Sequence, residues 1–321
     1  MKQNGHLQRD YGLDLSIIIV SWNVRKLLAN CLQTIDSGRG ELNLEVIVVD
    51  AGSVDGSPEM LREQFAWVNL VARSDNVGFP KGNNIGIERA RGRHIMLLNP
   101  DTEVIGDALS QMVAYLNQHL DVGVVSGMLI NPDGSIQSSR RRFPTFGTAV
   151  FESTWFEPYA PHSLIRDYYA EDLPLDEPVD VDWLTGASLM VRHEVIDEVG
   201  LMDEAYFMYS EELDWCRRIK DAGWRIVFLP SAEIIHHVGK SSEQAIVQRH
   251  INFNKAKLRY FRKYHGRLQA DSLRFWLLLN YVGQIVLEAG KGAIGHKRKL
   301  RKQRIRAYWD VLRSGLRPAG Y

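Results

Sequence analysis

The sequence predicts an α/β protein with a mostly parallel, doubly wound central sheet. Three observations carry that reading. Short β-branched apolar runs alternate with segments of helical spacing over the first 125 residues, the signature of a sheet wound by crossover helices. A polar residue stands at the end of each run: Ser21 and Asn23, then Asp50, then Asn99 and Asp101. Right-handed crossovers would bring those ends to one edge, where open α/β sheets bind ligands. A hydrophobic content of 45% in 321 residues suffices for one large domain or two modest ones.

Leu15, Ile17, Ile18, Ile19 and Val20 make the first buried strand, and Leu27, Leu28, Cys31, Leu32 and Ile35 follow at helical spacing. Residues 44–49 form a second buried strand, ending at Asp50. Gly52, Ser53, Asp55 and Gly56 make a loop, and Pro58 suits the first turn of a helix. Residues 68–72 are a third short strand. Residues 75–84 read as a polar, glycine-rich loop that continues into a helix over 85–90. The fourth strand, around Ile95, Met96, Leu97 and Leu98, stops at Asn99; a helix over 108–117 and a strand over 122–126 come next.

Asp101 lies just past the end of that fourth strand. A carboxylate at such an edge can hold a hard divalent cation, which in turn can hold a diphosphate. The plain alternative for Asn99-Pro100-Asp101 is an ordinary turn after a strand. No Gly-x-Gly-x-x-Gly follows a strand, and Gly239-Lys240-Ser241 resembles a P-loop end but has Ile234 where the first glycine belongs. A bound diphosphate would therefore need a cation or a basic side chain, for which Asp101 and Lys81 are the candidates.

Residues 131–180 lose periodicity and hold the basic patch Arg140-Arg141-Arg142. A segment this long is expected to be a binding loop or lid, or else a disordered insertion. A strand is expected over 181–192, with a centre at Gly186 and Ala187 small enough for a ligand to approach closely. Leu213, Cys216, Arg217 and Lys220 follow helical spacing, which puts Glu211 and Glu212 at a helix N-terminus. The helix dipole alone favours carboxylates there, so the pair reads equally as chemistry or as charge complementarity. A strand over 224–229 precedes His236 and His237 at a strand end. One of them can be a metal ligand, although a lone histidine is more often structural.

Two cysteines, Cys31 and Cys216, are too few for a disulfide framework or a zinc pattern and fit a reducing, intracellular location. Residues 1–14 lack the apolar core of a signal peptide, and no run reaches the roughly 18 apolar residues of a spanning helix. The formal charge of zero hides an asymmetry. Residues 255–321 carry 17 Lys and Arg against 3 Asp and Glu, a balance of +14, and residues 1–254 carry −14. Within the basic region, Leu273, Phe275, Trp276, Leu277, Leu279, Val282 and Val286 belong to a mostly apolar helix with Asn280, Gln284 and Glu288 as a thin polar stripe. The basic run 296–306 follows. An apolar helix beside a basic cluster reads as an interfacial membrane anchor. A helical hairpin packed on protein is the other reading. Few aromatics interleave the basic residues and no known module is present, so nucleic acid is not an expected partner.

Asp50-x-x-Ser53-x-Asp55-Gly56-Ser57, Asn76-x-Gly78-Phe79 with Gly82-Asn83-Asn84, Leu98-Asn99-Pro100-Asp101, Gly186-Ala187, Glu211-Glu212-x-Asp214-Trp215 and His236-His237 follow one another in this order. Together they resemble the motifs of a family 2 glycosyltransferase of the GT-A fold, and most of all its rhamnosyltransferase-like branch, which builds bacterial cell-surface polysaccharides. The resemblance covers residues 14–265. It leaves 1–13 as a polar N-terminal extension and 266–321 as a helical, basic C-terminal region.

The resemblance implies inverting transfer of a sugar, with L-rhamnose as the candidate, from a dTDP- or UDP-sugar to a saccharide or polyprenyl-linked saccharide. It implies Mg²⁺ or Mn²⁺ as cofactor. Asp50 would meet the base, with Ser21, Asn23 and Ser53 beside it. Asn83, Asn84 and Asn99 would line the donor site, and Lys81 would meet the diphosphate. Asp101 would ligate the cation together with His236 or His237. Glu212 matches the general base, with Glu211 as the second choice, and Trp183, Gly186 and Ala187 would shape the acceptor side. Two departures stand out. Asn99 replaces the first aspartate of the DxD element, which removes one charge, and Ala51-Gly52 stands where Asn-Ala is usual. The expected location is cytoplasmic and peripheral, on the inner face of the cell membrane, and the sequence leaves a homo-oligomer open. A sugar-nucleotide nucleotidyltransferase would need a glycine-rich, Arg-bearing loop after the first strand, and Ser21-Trp22-Asn23-Val24-Arg25 is not one. A non-catalytic carbohydrate- or membrane-binding scaffold with a relic site is the competing non-enzymatic reading.

Overall fold

The computed structural model describes residues 11–237 and 246–318. Residues 1–10 of the N-terminal extension and Gly239-Lys240-Ser241 lie outside the described residues. Strand and helix alternate as expected through β1 (Leu13–Ser21), α1 (Arg25–Gly38), β2 (Leu44–Ala51), α2 (Ser57–Gln64), β3 (Asn69–Arg73) and α3 (Phe79–Ile87). β4 (Gly92–Leu98) and the short β5 (Thr102–Val104) precede α4 (Ala108–Gln118) and β6 (Val122–Ile130). Next come β7 (Arg140–Arg141), α5 (Phe146–Phe151), α6 (His162–Tyr168), β8 (Val179–Asp180), β9 (Trp183–Leu184) and β10 (Ser188–Arg192). α7 (His193–Val199), α8 (Glu211–Asp221) and β11 (Arg225–His236) complete the α/β part, and α9 (Ile246–His265), α10 (Arg267–Ala293) and α11 (Arg298–Ser314) follow.

The main sheet has the order β3-β2-β1-β4-β10-β6-β11-β5, with β8 paired to β11. β3, β2, β1 and β4 are parallel neighbours, as are β6 and β11, while β10 runs antiparallel to both β4 and β6. Both faces are covered, which is why the parallel strands read as continuous apolar runs. On one face Leu15, Ile17 and Ile19 share a core with Leu28, Leu32 and Ile35 of α1 and Leu109, Met112 and Leu116 of α4. On the other, Ile18, Ile95 and Leu97 meet Val195 of α7 and Trp215 and Ile219 of α8.

Two expectations change, and one of two alternatives is removed. Residues 75–84 are not all loop, because Gly78 (φ 84°) turns the chain and Pro80 presets the first turn of α3. Lys81, Asn83 and Asn84 therefore stand on a helix. Residues 181–192 are not one strand: β9 pairs with β7 in a separate two-stranded sheet, β10 joins the main sheet, and Gly186 lies between them. Residues 131–180 are no disordered insertion. Arg142 pairs with Asp167 at 2.7 Å and Asp172 at 2.6 Å, and Ala149 of α5 is buried with α10. Contacts of that kind have no sequence period to reveal them.

The last three helices share a third core with Ala149 of α5 and Leu213 of α8. Ala270, Leu273, Leu277 and Tyr281 of α10 pack with Leu258 and Phe261 of α9 and Val311 of α11. Glu288 accepts two bonds from Arg301 at 2.9 and 2.7 Å, which ties α10 to α11. The tail is thus a packed hairpin on its inner side, while Phe275, Leu279, Val282 and Val286 of α10 are exposed. None of the described helices is long and apolar enough to cross a membrane.

α3 lies unusually close to β1. A Cβ on Gly82 would stand 2.8 Å from Val20 Cγ1, and one on Gly86, four residues on and on the same helix face, would collide with Ile18. Gly86→Ala should therefore push α3 away from β1 and cost about 1–3 kcal/mol. Urea unfolding measures this, and equal midpoints for variant and parent would contradict the close packing.

Candidate active site

β1 and β2 end side by side, with Ser21 opposite Asp50. Three bonds hold their loops together. Asp50 Oδ1 accepts from the Ser53 N–H (2.9 Å), Ser53 Oγ accepts from the Asn23 N–H (2.9 Å), and Asn23 Oδ1 accepts from the Val54 N–H (2.8 Å). Asn23 sits at φ 53°, a region asparagine tolerates better than most residues. Asp50 Oδ2 and Ser21 Oγ are buried without a hydrogen-bond partner among the described residues. Leaving such groups unpaired costs free energy, so this edge is ready to exchange hydrogen bonds with a ligand.

Lys81 is exposed on the first turn of α3. Asn83 is buried, and its amide donates to the Phe79 carbonyl within the helix at 3.0 Å. Asn84 holds two segments together. Its Nδ2 donates to the Met202 carbonyl (2.9 Å) and to Glu204 (3.0 Å), and its Oδ1 accepts from the Met202 N–H (3.0 Å). The structure thus gives Asn84 a holding task between α3 and the segment leading to α8. The Phe79 N–H donates to the Phe207 carbonyl at 2.9 Å and reinforces that join.

Asp101 and His236 come together where β4 gives way to β5 and β11 ends. Asp101 Oδ1 lies 3.5 Å from His236 Nε2, and Asp101 is nearly buried. His237 points elsewhere: its Nε2 meets Glu103 at 2.8 Å, and only its backbone N–H reaches the Asp101 carbonyl. Gln137 fixes the His236 ring. Its amide nitrogen donates to the His236 carbonyl (2.6 Å) and to Asn131 Oδ1 (2.9 Å), so its Oε1, 3.0 Å from His236 Nδ1, is the acceptor. Nδ1 then carries the proton, and the Nε2 lone pair faces Asp101 and the Asn99 amide, which lies 3.5 Å away. An imidazole oriented through its second nitrogen in this way is the usual arrangement of a metal ligand. One carboxylate and one such imidazole fit a Mg²⁺ or Mn²⁺ that takes its other ligands from a diphosphate and water. Among the described residues no group of three or more His, Cys, Asp or Glu is placed to hold a metal by itself.

Glu211 and Glu212 open α8. Tyr209 and Ser210 before them adopt φ 75° and 61°, left-handed conformations that cost about 1–3 kcal/mol each in residues other than glycine. That strain turns the start of α8 into the site. Glu211 is buried, and its Oε2 has no partner among the described residues. Burial, then the neighbouring Glu212 charge, pushes the Glu211 carboxyl well above the ordinary carboxylate range. Burial also raises the Glu212 carboxyl, against which the Gly186 N–H donates a bond to its charged form. Burial thus favours the neutral form of both carboxyls; the neighbouring charge adds to this at Glu211, whereas the Gly186 N–H favours the charged form of Glu212.

Gly186 lies against Glu212, since a Cβ there would stand 3.6 Å from Glu212 Cγ. The next carbonyl, that of Ala187, accepts from the Asn99 N–H at 2.9 Å. Trp183 Nε1 donates to the Arg142 carbonyl (3.0 Å), and the Arg141 guanidinium lies 6.0 Å from the Trp183 ring. The structure therefore sets Glu212 against Gly186, Ala187 against Asn99, and both Asn99 and Asp101 beside His236, while the His237 ring pairs with Glu103. Sequence reasoning missed Gln137, 99 residues from its partner and in an aperiodic segment. It also missed the buried hydroxyls of Thr185 and Ser188, which have no partner among the described residues, although they flank the small residues it singled out.

A carboxyl whose pKa is raised by folding stabilises the fold below its unfolded value of about 4.3 and loses that stability as pH climbs toward the folded value. Glu211→Gln removes this loss. The variant should be more stable than the parent by about 1 kcal/mol or more at pH 8, with the difference shrinking toward pH 4. Thermal unfolding across pH reads it, and a parent more stable at pH 8 would overturn the assignment of Glu211 as a neutral buried acid.

Comparison with known proteins places the chain. The model of glycosyl transferase family 2 matches residues 16–179. N-acetylglucosaminyl-diphospho-decaprenol L-rhamnosyltransferase of Mycobacterium tuberculosis is 27% identical over 215 residues, 63% of this chain and 69% of that protein. The low-salt glycan biosynthesis hexosyltransferase Agl10 of Haloferax volcanii is 25% identical over 274 residues, 81% of this chain and 80% of its own length. Rhamnosyltransferase WbbL of Escherichia coli is 26% identical over 171 residues, 50% of this chain and 61% of its own. Among solved structures, mannosyltransferase PcManGT from Pyrobaculum calidifontis with GDP-Man and Mn²⁺ superposes with a TM-score of 0.56 at 16% identity, covering 95% of this chain and 89% of that one. GalNAc-T7 with UDP, GalNAc and Mn²⁺ gives the same TM-score and identity over 78% of this chain and 48% of that one. At such identity the likeness shows the fold, which is GT-A. With the family model matched over half of its length and glycosyltransferases among its relatives, the chain belongs to glycosyl transferase family 2.

Proposed function

We propose that this glycosyltransferase moves a sugar from a dTDP- or UDP-sugar to a saccharide carried on a polyprenyl lipid, with inversion at the anomeric carbon and with Mg²⁺ or Mn²⁺. L-Rhamnose is the candidate sugar, because two relatives bear the name rhamnosyltransferase, and one of these is named for a diphospho-decaprenol substrate. One observation carries the reading: an unbroken run of contacts joins base to cation pair. Glu212 touches Gly186, Ala187 bonds to Asn99, and Asp101 follows two residues later beside His236.

Asp50 Oδ2 is an acceptor and suits the imide N–H that uracil and thymine share, with Ser21 Oγ free to donate to a neighbouring carbonyl. Asp101 and His236 hold the cation and Lys81 adds a positive charge for the diphosphate, whereas His237 is taken by Glu103. A bound cation supplies stabilisation of the departing diphosphate, worth several kcal/mol. Glu212 takes the proton of the acceptor hydroxyl as that oxygen bonds to the anomeric carbon. The bond from that carbon to the diphosphate oxygen breaks, and the nucleoside diphosphate leaves with the electron pair. A single displacement of this kind inverts the centre. Trp183, Gly186 and Ala187 flank the acceptor. A lipid-borne acceptor puts this work at the inner face of the cell membrane, with the protein attached peripherally.

Glu212→Gln should lower kcat by about 10²–10⁴-fold and leave nucleotide-sugar affinity in place. Asp101→Ala should abolish the Mn²⁺-dependent part of that affinity in a thermal-shift titration. Full transfer by both variants would sink the assignment. Because burial raises the Glu212 carboxyl, kcat/KM should rise with pH through a limb above the ordinary glutamate value of about 4.3. A limb at the ordinary value would remove Glu212 as the base.

Gln137→Leu should weaken Mn²⁺ binding in the presence of nucleoside diphosphate by about 10–100-fold, read by electron paramagnetic resonance of free Mn²⁺. Unchanged affinity would show that the ring needs no support from Gln137.

A further inference from the structure

α10 is amphipathic in an unusual sense, with its polar stripe turned inward. Asn280 and Glu288 are buried beside Leu273, Leu277 and Tyr281. The opposite face carries Leu268 (81% exposed), Phe275 (70%), Leu279 (50%), Val282 (46%) and Val286 (65%). These positions recur at helical spacing and form one stripe. Between Arg274 and Lys291 the only charged residue is Glu288, and Arg301 and Arg304 hold it on the inner side. Single exposed apolar residues need no explanation, whereas an aligned run of large ones marks an interaction surface.

Two further observations say what covers it. From Lys291 to Arg317 the chain has ten Lys and Arg and one acid, Asp310. Lys297, Arg298, Lys299, Lys302 and Arg306 are exposed. The stripe also adjoins an aromatic edge: Phe156 packs on Trp276 of α10 (ring centroids 5.0 Å apart), and Trp276 Nε1 donates to the Val150 carbonyl. Exposed Trp155 and Tyr159 flank Phe156, and such aromatics favour a membrane–water interface. A second copy seated on the stripe through a two-fold axis would bring two strongly basic hairpins together, which like-charge repulsion opposes.

We infer that the outer face of α10, flanked by the basic side chains of α11, lies in the interfacial plane of a bilayer rich in anionic lipid. The 146–168 segment, packed between α10 and the Arg141–Trp183 edge of the site, then faces the lipid from which an acceptor arrives. The docking stands on the surface itself; only its use for acceptor delivery rests on the proposed function.

The test is flotation of the full chain with vesicles of phosphatidylcholine alone or mixed with phosphatidylglycerol. The parent should float with the mixed vesicles, less so at high salt. The variant carrying Phe275→Ser, Leu279→Ser and Val286→Ser should bind at least about tenfold more weakly, through lost apolar insertion. Replacing Lys297, Lys299 and Lys302 by Gln should weaken binding by about fivefold per residue. Both variants should keep the parental unfolding temperature and transfer to a water-soluble acceptor. Equal flotation of parent and stripe variant would overturn the inference. So would loss of self-association with flotation unchanged, which would assign the stripe to a second copy. Absence of nucleotide-sugar binding with flotation intact would defeat the enzymatic reading and leave the docking standing.

Discussion

Antiparallel β10, wedged between β4 and β6, sets where everything else in the site can stand. Because it runs against β4, the chain enters it at the ligand-binding edge, so the turn before it lies beside the end of β4. A parallel strand in the same slot would begin at the opposite edge. Its register pairs Ser188 with Leu98, which seats the Ala187 carbonyl on the Asn99 N–H. A slip of one residue would turn Leu189 and Val191 out of their core and detach the turn from Asn99. The fold thus uses a buried strand to hold the Gly186-Ala187 turn against the Asn99–Asp101 edge.

The acids at the start of α8 are costly, and the structure shows where that cost is offset. Glu211 is buried with an oxygen that has no partner among the described residues, and Tyr209 and Ser210 are strained. Against this, Trp215 and Ile219 of the same helix sit in the core. Asp214, fully buried, accepts from Tyr264 at 3.0 Å and pairs with Lys263 at 2.7 Å, both on α9. α9 therefore braces α8 from behind. α9 also packs on α10, so it stands between the start of α8 and the C-terminal hairpin.

How much of this was legible in the sequence depended on the range of the interaction. β1, β2 and β4 could be read because burial on both faces leaves a continuous apolar run, and Asp50, Asn99 and Asp101 could be placed because a strand end is a local property. The start of α3 was misread because Gly78, Asn83 and Asn84 look like loop residues until packing is known. Gly82 and Gly86 are glycines to let a helix approach β1, and Asn84 is an asparagine to clamp a partner more than a hundred residues away. Choosing His236 over His237 required knowing that Glu103 and Gln137 take one histidine each. The apolar pattern of α10 was plain, but which of its faces is buried depends on α9 and α11. Only their positions reveal that the polar stripe points inward.

The replacement of a DxD aspartate by Asn99 has an electrostatic consequence for the proposed reaction. In the proposed site Asp101 would bring one negative charge and a ligating imidazole at His236 none, so the pair would leave a divalent cation undercompensated. A diphosphate supplies the missing charge and further oxygen ligands. Donor and cation then bind more tightly together than either does alone, a coupling that is reciprocal by linkage. An aspartate in place of Asn99 would strengthen the bare cation site and weaken that coupling. It would also put a carboxylate where the amide now faces His236 Nε2 at 3.5 Å, competing with the diphosphate for the same charge. On the proposed reaction, Asn99 would make occupancy of the cation edge depend on the substrate that the cation serves.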